Sequence, residues 1–381
     1  MNAERLHAIA RALREEVTQT EYPGHLEQLA EGLEKAVEAP NQPGPQEQVS
    51  TARENLNNVL RVVPSNSFSP AWEEALEVLG VADIVGEPLL ERVEEILTAN
   101  EITPNTAHNE IVQIRDRVTS FVATLNQVIS AFEFFGIGWE ELPPGEFEIG
   151  FLIPKVEVDH GLEELGKEFV KLKRIIGPFS ELAGEGRPEV KVRSISSSEF
   201  QVFLDSAPAT AALFTAALER VLAVYKQVLD IRQKHQELSE NSDLPEEAIR
   251  PIAEAASEMM EKKTREIAEE LVAEADTKAE ERNNELLTEI RLQLNALAER
   301  IDRGYNVEVR AGELPESTDE GEPGDDLDPA TRKATEAVLE AQKSIEFMNV
   351  SGKPILSLEQ ADEDEEDSQP EDSEESGEKQ N

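Results

Sequence analysis

Residues 146–155 read EFEIGFLIPK, residues 190–206 read VKVRSISSSEFQVFLDS, and residues 210–231 read TAALFTAALERVLAVYKQVLDI. In the first run Phe147, Ile149, Phe151 and Ile153 alternate with Glu148, Gly150 and Leu152. A period of two puts one strongly apolar face on a β-strand, and Pro154 ends it. Residues 159–176 carry Leu162, Leu165, Phe169, Leu172 and Ile176 at helical spacing. This predicts a helix docked through Leu165, Phe169 and Leu172 on the sheet that holds Phe147 and Ile149. Val190, Val192 and Ile195 predict a second strand, Ser196–Ser198 a turn, and Phe200, Val202 and Leu204 a third strand. Asp205 or Ser206 is expected to cap a helix running to about Glu240. Pro245 interrupts, residues 246–303 read as one or two very long helices, Gly304 stops them, and Asn306–Arg310 (NVEVR) reads as a fourth strand.

The order is strand, helix, two strands, helix, helical extension, strand. That is the βαββαβ order of a ferredoxin-like sandwich, with a helical arm inserted before the last strand. The alternative is a three-stranded sheet with the fourth strand elsewhere. Outward from this centre, residues 1–145 repeat apolar positions at helical spacing between Pro- and Gly-marked turns at Pro23-Gly24, residues 39–45 (APNQPGP), Pro64 and Thr103-Pro104. Ser69-Pro70 predicts a helix start with Ser as N-cap. Helices are expected near 3–20, 25–38, 46–62, 70–79, 87–99 and 107–135, with no fixed-period repeat. The fold class is therefore mainly α with a small α+β centre. A helical array spans 1–145, and an α+β domain spans 146–310 with the arm at about 246–303. An acidic linker comes next at 311–328, then a helix and a short apolar segment at 329–358. Residues 359–381 are expected to be a disordered acidic tail.

The chain carries 81 acids against 36 bases, a net charge of −45. The charge is uneven, net −15 over residues 1–145, −4 over 146–205, −8 over 206–310 and −18 over 311–381. Such acidity argues against duplex DNA, which needs clustered Lys and Arg. There is no cysteine, so disulfides, thiolate metal sites and cysteine nucleophiles are excluded. No cofactor or metal is expected. The five histidines, His7, His25, His108, His160 and His235, show no metal spacing and are read as surface or boundary residues. The run Ser194–Ser198 reads as turn chemistry rather than a nucleophile. No apolar run approaches the roughly 20 residues that span a bilayer, and a cytoplasmic location is expected.

Two groups of residues stand out. Lys167, Lys171 and Arg174, with Lys173 beside them, are spaced to share a helix face. That face is either a solvated surface with internal pairs such as Glu163–Lys167, or an anion site for a partner's acidic segment or an RNA phosphate. The arm's Ile252, Met259, Ile267, Leu271, Leu286, Ile290, Leu294 and Leu297 form a narrow stripe, expected to be the seam of a hairpin or coiled coil. The leading functional expectation is a non-enzymatic interaction or scaffold protein that self-associates or docks on protein partners through long helices. A regulatory subunit whose α+β centre binds a nucleic acid or small anionic ligand, and an enzyme without a readable motif, are the alternatives.

Overall fold

A computed structural model describes residues 2–39, 42–157, 161–196, 200–241, 246–275, 280–314, 327–345, 348–350 and 352–360. Six helices come first: α1 (Ala3–Thr20), α2 (Tyr22–Glu38), α3 (Pro43–Leu60), α4 (Pro70–Leu79), α5 (Gly86–Ala99) and α6 (Pro104–Phe135). Their apolar faces meet in one core that includes Ile9, Leu13, Leu26, Leu29, Leu56, Leu89, Val93, Ile111, Val118 and Ile129. Helix α3 begins three residues earlier than the spacing suggests, because Pro43 occupies its first turn, where no amide partner is lost. Glu21 alone joins α1 to α2, in the left-handed region at φ 49°. Its amide donates to the Val17 carbonyl, so a single residue closes one helix and opens the next.

The second core is built on a sheet of β1 (Phe147–Ile153), β2 (Val192–Ser196), β3 (Phe200–Ser206) and β4 (Asn306–Ala311). The strand order is β2-β3-β1-β4, and every neighbouring pair is antiparallel. With α7 (Leu162–Leu182) between β1 and β2 and α8 (Pro208–Asn241) after β3, this is the βαββαβ arrangement that the alternation implies. Ile149 lies between Leu204 and Val309, and Phe151 between Val202 and Val307. Those side chains make the helix-facing side, where they meet Ile175, Phe179, Phe214 and Leu218. Of the three residues expected to dock α7, Leu172 is fully buried, while Leu165 and Phe169 are only partly covered.

Three local expectations are corrected. Helix α7 does not stop at Ile176 but continues through Pro178 to Leu182. Proline inside a helix costs about 3 kcal/mol. Phe179 and Leu182 are 0% and 3% exposed, and burial of each large side chain returns about 1.5–3 kcal/mol. Asp205 and Ser206 belong to β3, and α8 starts at Pro208. Ser69 stands at the N-cap of α4 but makes no capping bond; its place is taken by Glu308 of β4, whose Oε2 accepts from the Ala71 amide at 2.9 Å.

The arm is two helices, α9 (Glu246–Glu274) and α10 (Glu280–Asp302). It does not project. α9 lies along α8, and α10 lies along α9 and α7, so the arm completes the helical layer over the sheet. Ile267, Leu271, Leu286, Ile290, Leu294 and Leu297 are all buried in the chain's own core, and Ile252 and Met259 are half-buried. A buried hydrogen bond from Thr264 Oγ1 to Asn295 Oδ1, 2.6 Å, ties α9 to α10. Helix α11 (Pro329–Gln342) packs on α8 and β4. Residues 352–358 run extended without pairing as a strand, with Ile355 and Leu358 buried. The linker expected at 311–328 is described only at its ends, and residues 361–381 of the expected tail lie outside the described residues.

Candidate functional site: a cleft between the helical array and the sheet

The alternation in β1 leaves Glu148, Gly150 and Leu152 on the face away from α7 and α8. That face is covered too. Every residue of β1 is buried, because the helical array closes over it. Leu152 and Phe203 pack on Ala71 of α4. Gly150 sits between Phe203 and Glu308 in the ladder; a Cβ there would lie 2.5 Å from the Phe203 ring and 2.9 Å from Glu308. Only glycine lets the ring lie this low over the strand.

The contact between the two cores is ionic. Arg5 of α1, 2% exposed, grips Glu140 with Nε and Nη2 at 2.6 and 2.8 Å. Its Nη1 donates to Gln201 Oε1 at 3.1 Å, and its guanidinium lies 3.8 Å from the Phe203 ring centre. Gln201 Nε2 in turn donates to Glu74 at 2.6 Å. From β4, Arg310 Nη1 reaches Glu140 Oε2 at 3.2 Å and lies 3.1 Å from Glu148 Oε1, the latter a charge contact outside hydrogen-bond alignment. Burial works to raise the Glu140 pKa, but the hydrogen bonds and charges of Arg5 and Arg310 outweigh it and hold the carboxyl below its usual range. Glu148 goes the other way. Burial pushes it up, Arg310 opposes, and the neighbouring Glu308 and Glu140 add to the rise.

The direction of the Glu148 change has a measurable consequence. A carboxyl whose folded pKa is raised costs the protein stability as pH climbs from the ordinary value of 4.5 through the folded value. Glutamine does not titrate. The denaturant midpoint of Glu148→Gln, relative to wild type, is therefore expected to rise with pH above 4.5. Parallel pH profiles for the two proteins would refute an environment hostile to the Glu148 charge.

Above this floor opens a cleft of about 540 Å³, walled by α1, residues 67–72, residues 139–144, the end of β4 and α11. Both tryptophans of the chain line it. Trp72 takes the edge of Phe68 at 4.9 Å, and Arg11 lies over Trp139 at 3.5 Å from the ring centre. His7 is 1% exposed rather than superficial, which corrects the reading of it as a surface residue. Its Nδ1 donates to the Ile137 carbonyl at 2.9 Å, and its ring sits between Phe132 and Trp139. It thereby fixes the segment that presents Trp139. Glu15, Glu141 and Glu313 stand exposed around the rim. Close by, Phe134 and Phe135 end α6 at 84% and 71% exposure.

The residues singled out in the sequence lie elsewhere. Lys167 pairs with Glu163 at 2.7 Å, and Lys173 is exposed. Lys171 and Arg174 share a small crevice with Arg300 and Gln360, and Arg300 binds Glu168 at 2.7 Å. The seam residues are buried or half-buried in the chain's own core. Among the described residues no group of three or more His, Cys, Asp or Glu is placed to hold a metal. One described helix, α6, is long and apolar enough by length and composition to cross a membrane, contrary to the expectation of no such run, and 17% of its apolar stretch is buried. The cleft residues escaped the sequence reading because they come from residues 5–15, 67–72, 139–144 and 308–313. The signals available were two tryptophans in an aromatic-poor chain and the charges alternating with valine in NVEVR. The chain matches no family model, no curated protein and no solved structure.

Proposed function

We propose that this is a non-enzymatic interaction protein that receives a segment of a protein partner in the tryptophan-walled cleft and on the neighbouring end of α6. One observation carries the reading: a cleft of about 540 Å³ holding both tryptophans opens where two separately cored units meet, beside two exposed phenylalanines. Aromatic-lined concavities with a few convergent polar groups at unit boundaries are the usual form of a recognition site. Exposed Phe and Trp supply the anchors from which interfaces draw most of their energy. The rim acids and the net charge of −45 favour a partner segment with basic residues beside its apolar anchor. Of the long helices, α6 rather than the arm suits docking, since the arm's apolar stripe is occupied within the chain.

Selection of peptides from a random displayed library on the wild-type protein tests this. Enriched peptides are expected to combine an aromatic or aliphatic anchor with Lys or Arg, and to change the tryptophan emission on binding. They are expected to lose about tenfold or more in affinity for Trp139→Ala or Phe135→Ala, the loss of an anchor worth at least about 1.4 kcal/mol. Peptides that bind both variants as tightly as wild type would place recognition elsewhere, and failure to enrich any peptide would remove the reading.

A further inference from the structure

We infer, resting on the reading of the cleft as the seat of a partner segment, that its floor takes a lysine ammonium of that segment, which donates to Glu308 Oε1 and Ser69 Oγ. Six buried side-chain polar atoms stand without a hydrogen-bond partner among the described residues. Three of them, Ser69 Oγ, Trp72 Nε1 and Glu308 Oε1, belong to residues that line this one cleft. Folded proteins leave few such atoms unpaired, so three on one cleft point to a ligand group that pairs them. Glu308 is 2% exposed. The Ala71 amide holds its Oε2 at 2.9 Å, and its Oε1 has no donor among the described residues.

Charge selects a cation. At the floor, Glu140, Glu148 and Glu308 are set against Arg5 and Arg310, and Arg310 already serves Glu140 and Glu148. The other base lining the cleft, Arg11, lies on the Trp139 ring. The group is one positive charge short, and a buried carboxylate is costly until it is paired. Geometry selects an ammonium over a guanidinium. A guanidinium fork is best met by both oxygens of a carboxylate, and Glu308 has only one to give. A compact ammonium can share its donors between that oxygen and the Ser69 hydroxyl. The Trp72 indole N–H can only donate, and it takes a carbonyl of the same segment. All three atoms are shielded from solvent, while the Trp72 ring is only half-buried. A shift of that ring admits the ammonium, and its N–H reports the arrival.

The probe is Nα-acetyl-lysine N-methylamide, titrated into the full-length protein while the two tryptophan indole N–H signals are followed by nitrogen-15 NMR. Trp72→Phe identifies which signal is which. The lysine probe is expected to shift the Trp72 signal saturably. The norleucine analogue, which lacks the ammonium, is expected to bind at least about tenfold more weakly, the loss of a hydrogen bond to a charged group. Glu308→Gln, which keeps an oxygen for the Ala71 amide, should weaken the lysine probe by a similar factor. Ser69 makes no capping bond, so Ser69→Ala leaves folding untouched and should weaken the probe about threefold. A Trp72 signal that the lysine probe leaves unmoved overturns the inference. So does equal binding of the lysine and norleucine probes by the wild-type protein, an outcome that relies on no variant. Tighter binding of the arginine analogue, or equal binding of norleucine N-methylamide with its α-ammonium free, overturns the assignment to a lysine side chain. The reading of the cleft as a segment site fails separately, through peptides indifferent to Trp139→Ala and Phe135→Ala, neither of which alters the floor atoms.

Discussion

Replacing Asp302 by alanine is expected to cost about 3–5 kcal/mol, the range for breaking a buried ion pair by removing one partner. Asp302 ends α10 and is fully buried. Its Oδ1 takes Arg232 Nη1 at 2.6 Å and the Tyr225 hydroxyl at 2.8 Å. Its Oδ2 takes the Ile355 and Leu356 amides at 2.6 and 2.7 Å. Arg232, 3% exposed, also donates Nη2 to the Gly352 carbonyl at 2.6 Å. One carboxylate thus joins α8, α10 and the extended strap of residues 352–360, and its loss leaves a guanidinium, a phenol and two amides short of an acceptor in the interior. Burial and the neighbouring carboxylate push the Tyr225 pKa far up, so the phenol stays a donor throughout the working range. Asp302→Asn keeps the volume and an acceptor oxygen but not the charge, and should fall between alanine and wild type. Denaturant unfolding measures both, and limited proteolysis should cut within 348–360 first in the variants. A cost below about 1 kcal/mol for Asp302→Ala would fit a surface-type pair and would mean the strap is held by Ile355 and Leu358 alone.

The strap was not legible in the sequence, for a physical reason. GKPILSL announces a short apolar segment, but an isolated aspartate at the end of a helix does not announce that it accepts two amides from residues some fifty positions away. The sheet was legible because its signals are local. Phe147 to Ile153 and Val307 with Val309 alternate, and a period of two fixes both the strand and the face that packs. The second face of β1 was not legible, since Glu148 and Gly150 look like solvent positions until Arg5 and α4 come to cover them. The end of α7, expected at Ile176 and found at Leu182, differs for the opposite reason. Gly177-Pro178 is a true local stop signal, overridden by the burial of Phe179 and Leu182. The cleft has no contiguous signature at all, because its walls are brought together only when the array closes on the sheet. The arm shows the limit most clearly. Its apolar stripe identifies positions that must be covered, but the spacing is the same whether a second copy or the chain's own helices cover them.

That ambiguity is resolved by a substitution whose two outcomes differ in kind. Leu271 is 0% exposed, within the core shared by α8, α9 and α10. Losing a buried leucine side chain costs about 2–5 kcal/mol, and an aspartate in its place adds the cost of a carboxylate with no partner in an apolar setting, or of protonating it. The sum for Leu271→Asp is expected to exceed about 5 kcal/mol, at or beyond the low end of ordinary domain stability of about 5–15 kcal/mol. The helical layer over the sheet should then be lost, with collapse of near-ultraviolet signal and rapid proteolysis across α9 and α10. Val170→Asp on α7, at a position 50% exposed, is the matched control and should stay within about 0.5 kcal/mol of wild type. If the stripe instead serves to join two chains, Leu271→Asp will leave each chain folded and as resistant to denaturant as wild type, and will change only the mass measured by light scattering. A folded Leu271→Asp monomer would take the arm out of the core and restore the seam between copies. An unfolded layer ties α9 and α10 to the sheet and leaves α6, with Phe134 and Phe135 at its end, as the long helix with aromatic surface to offer a partner.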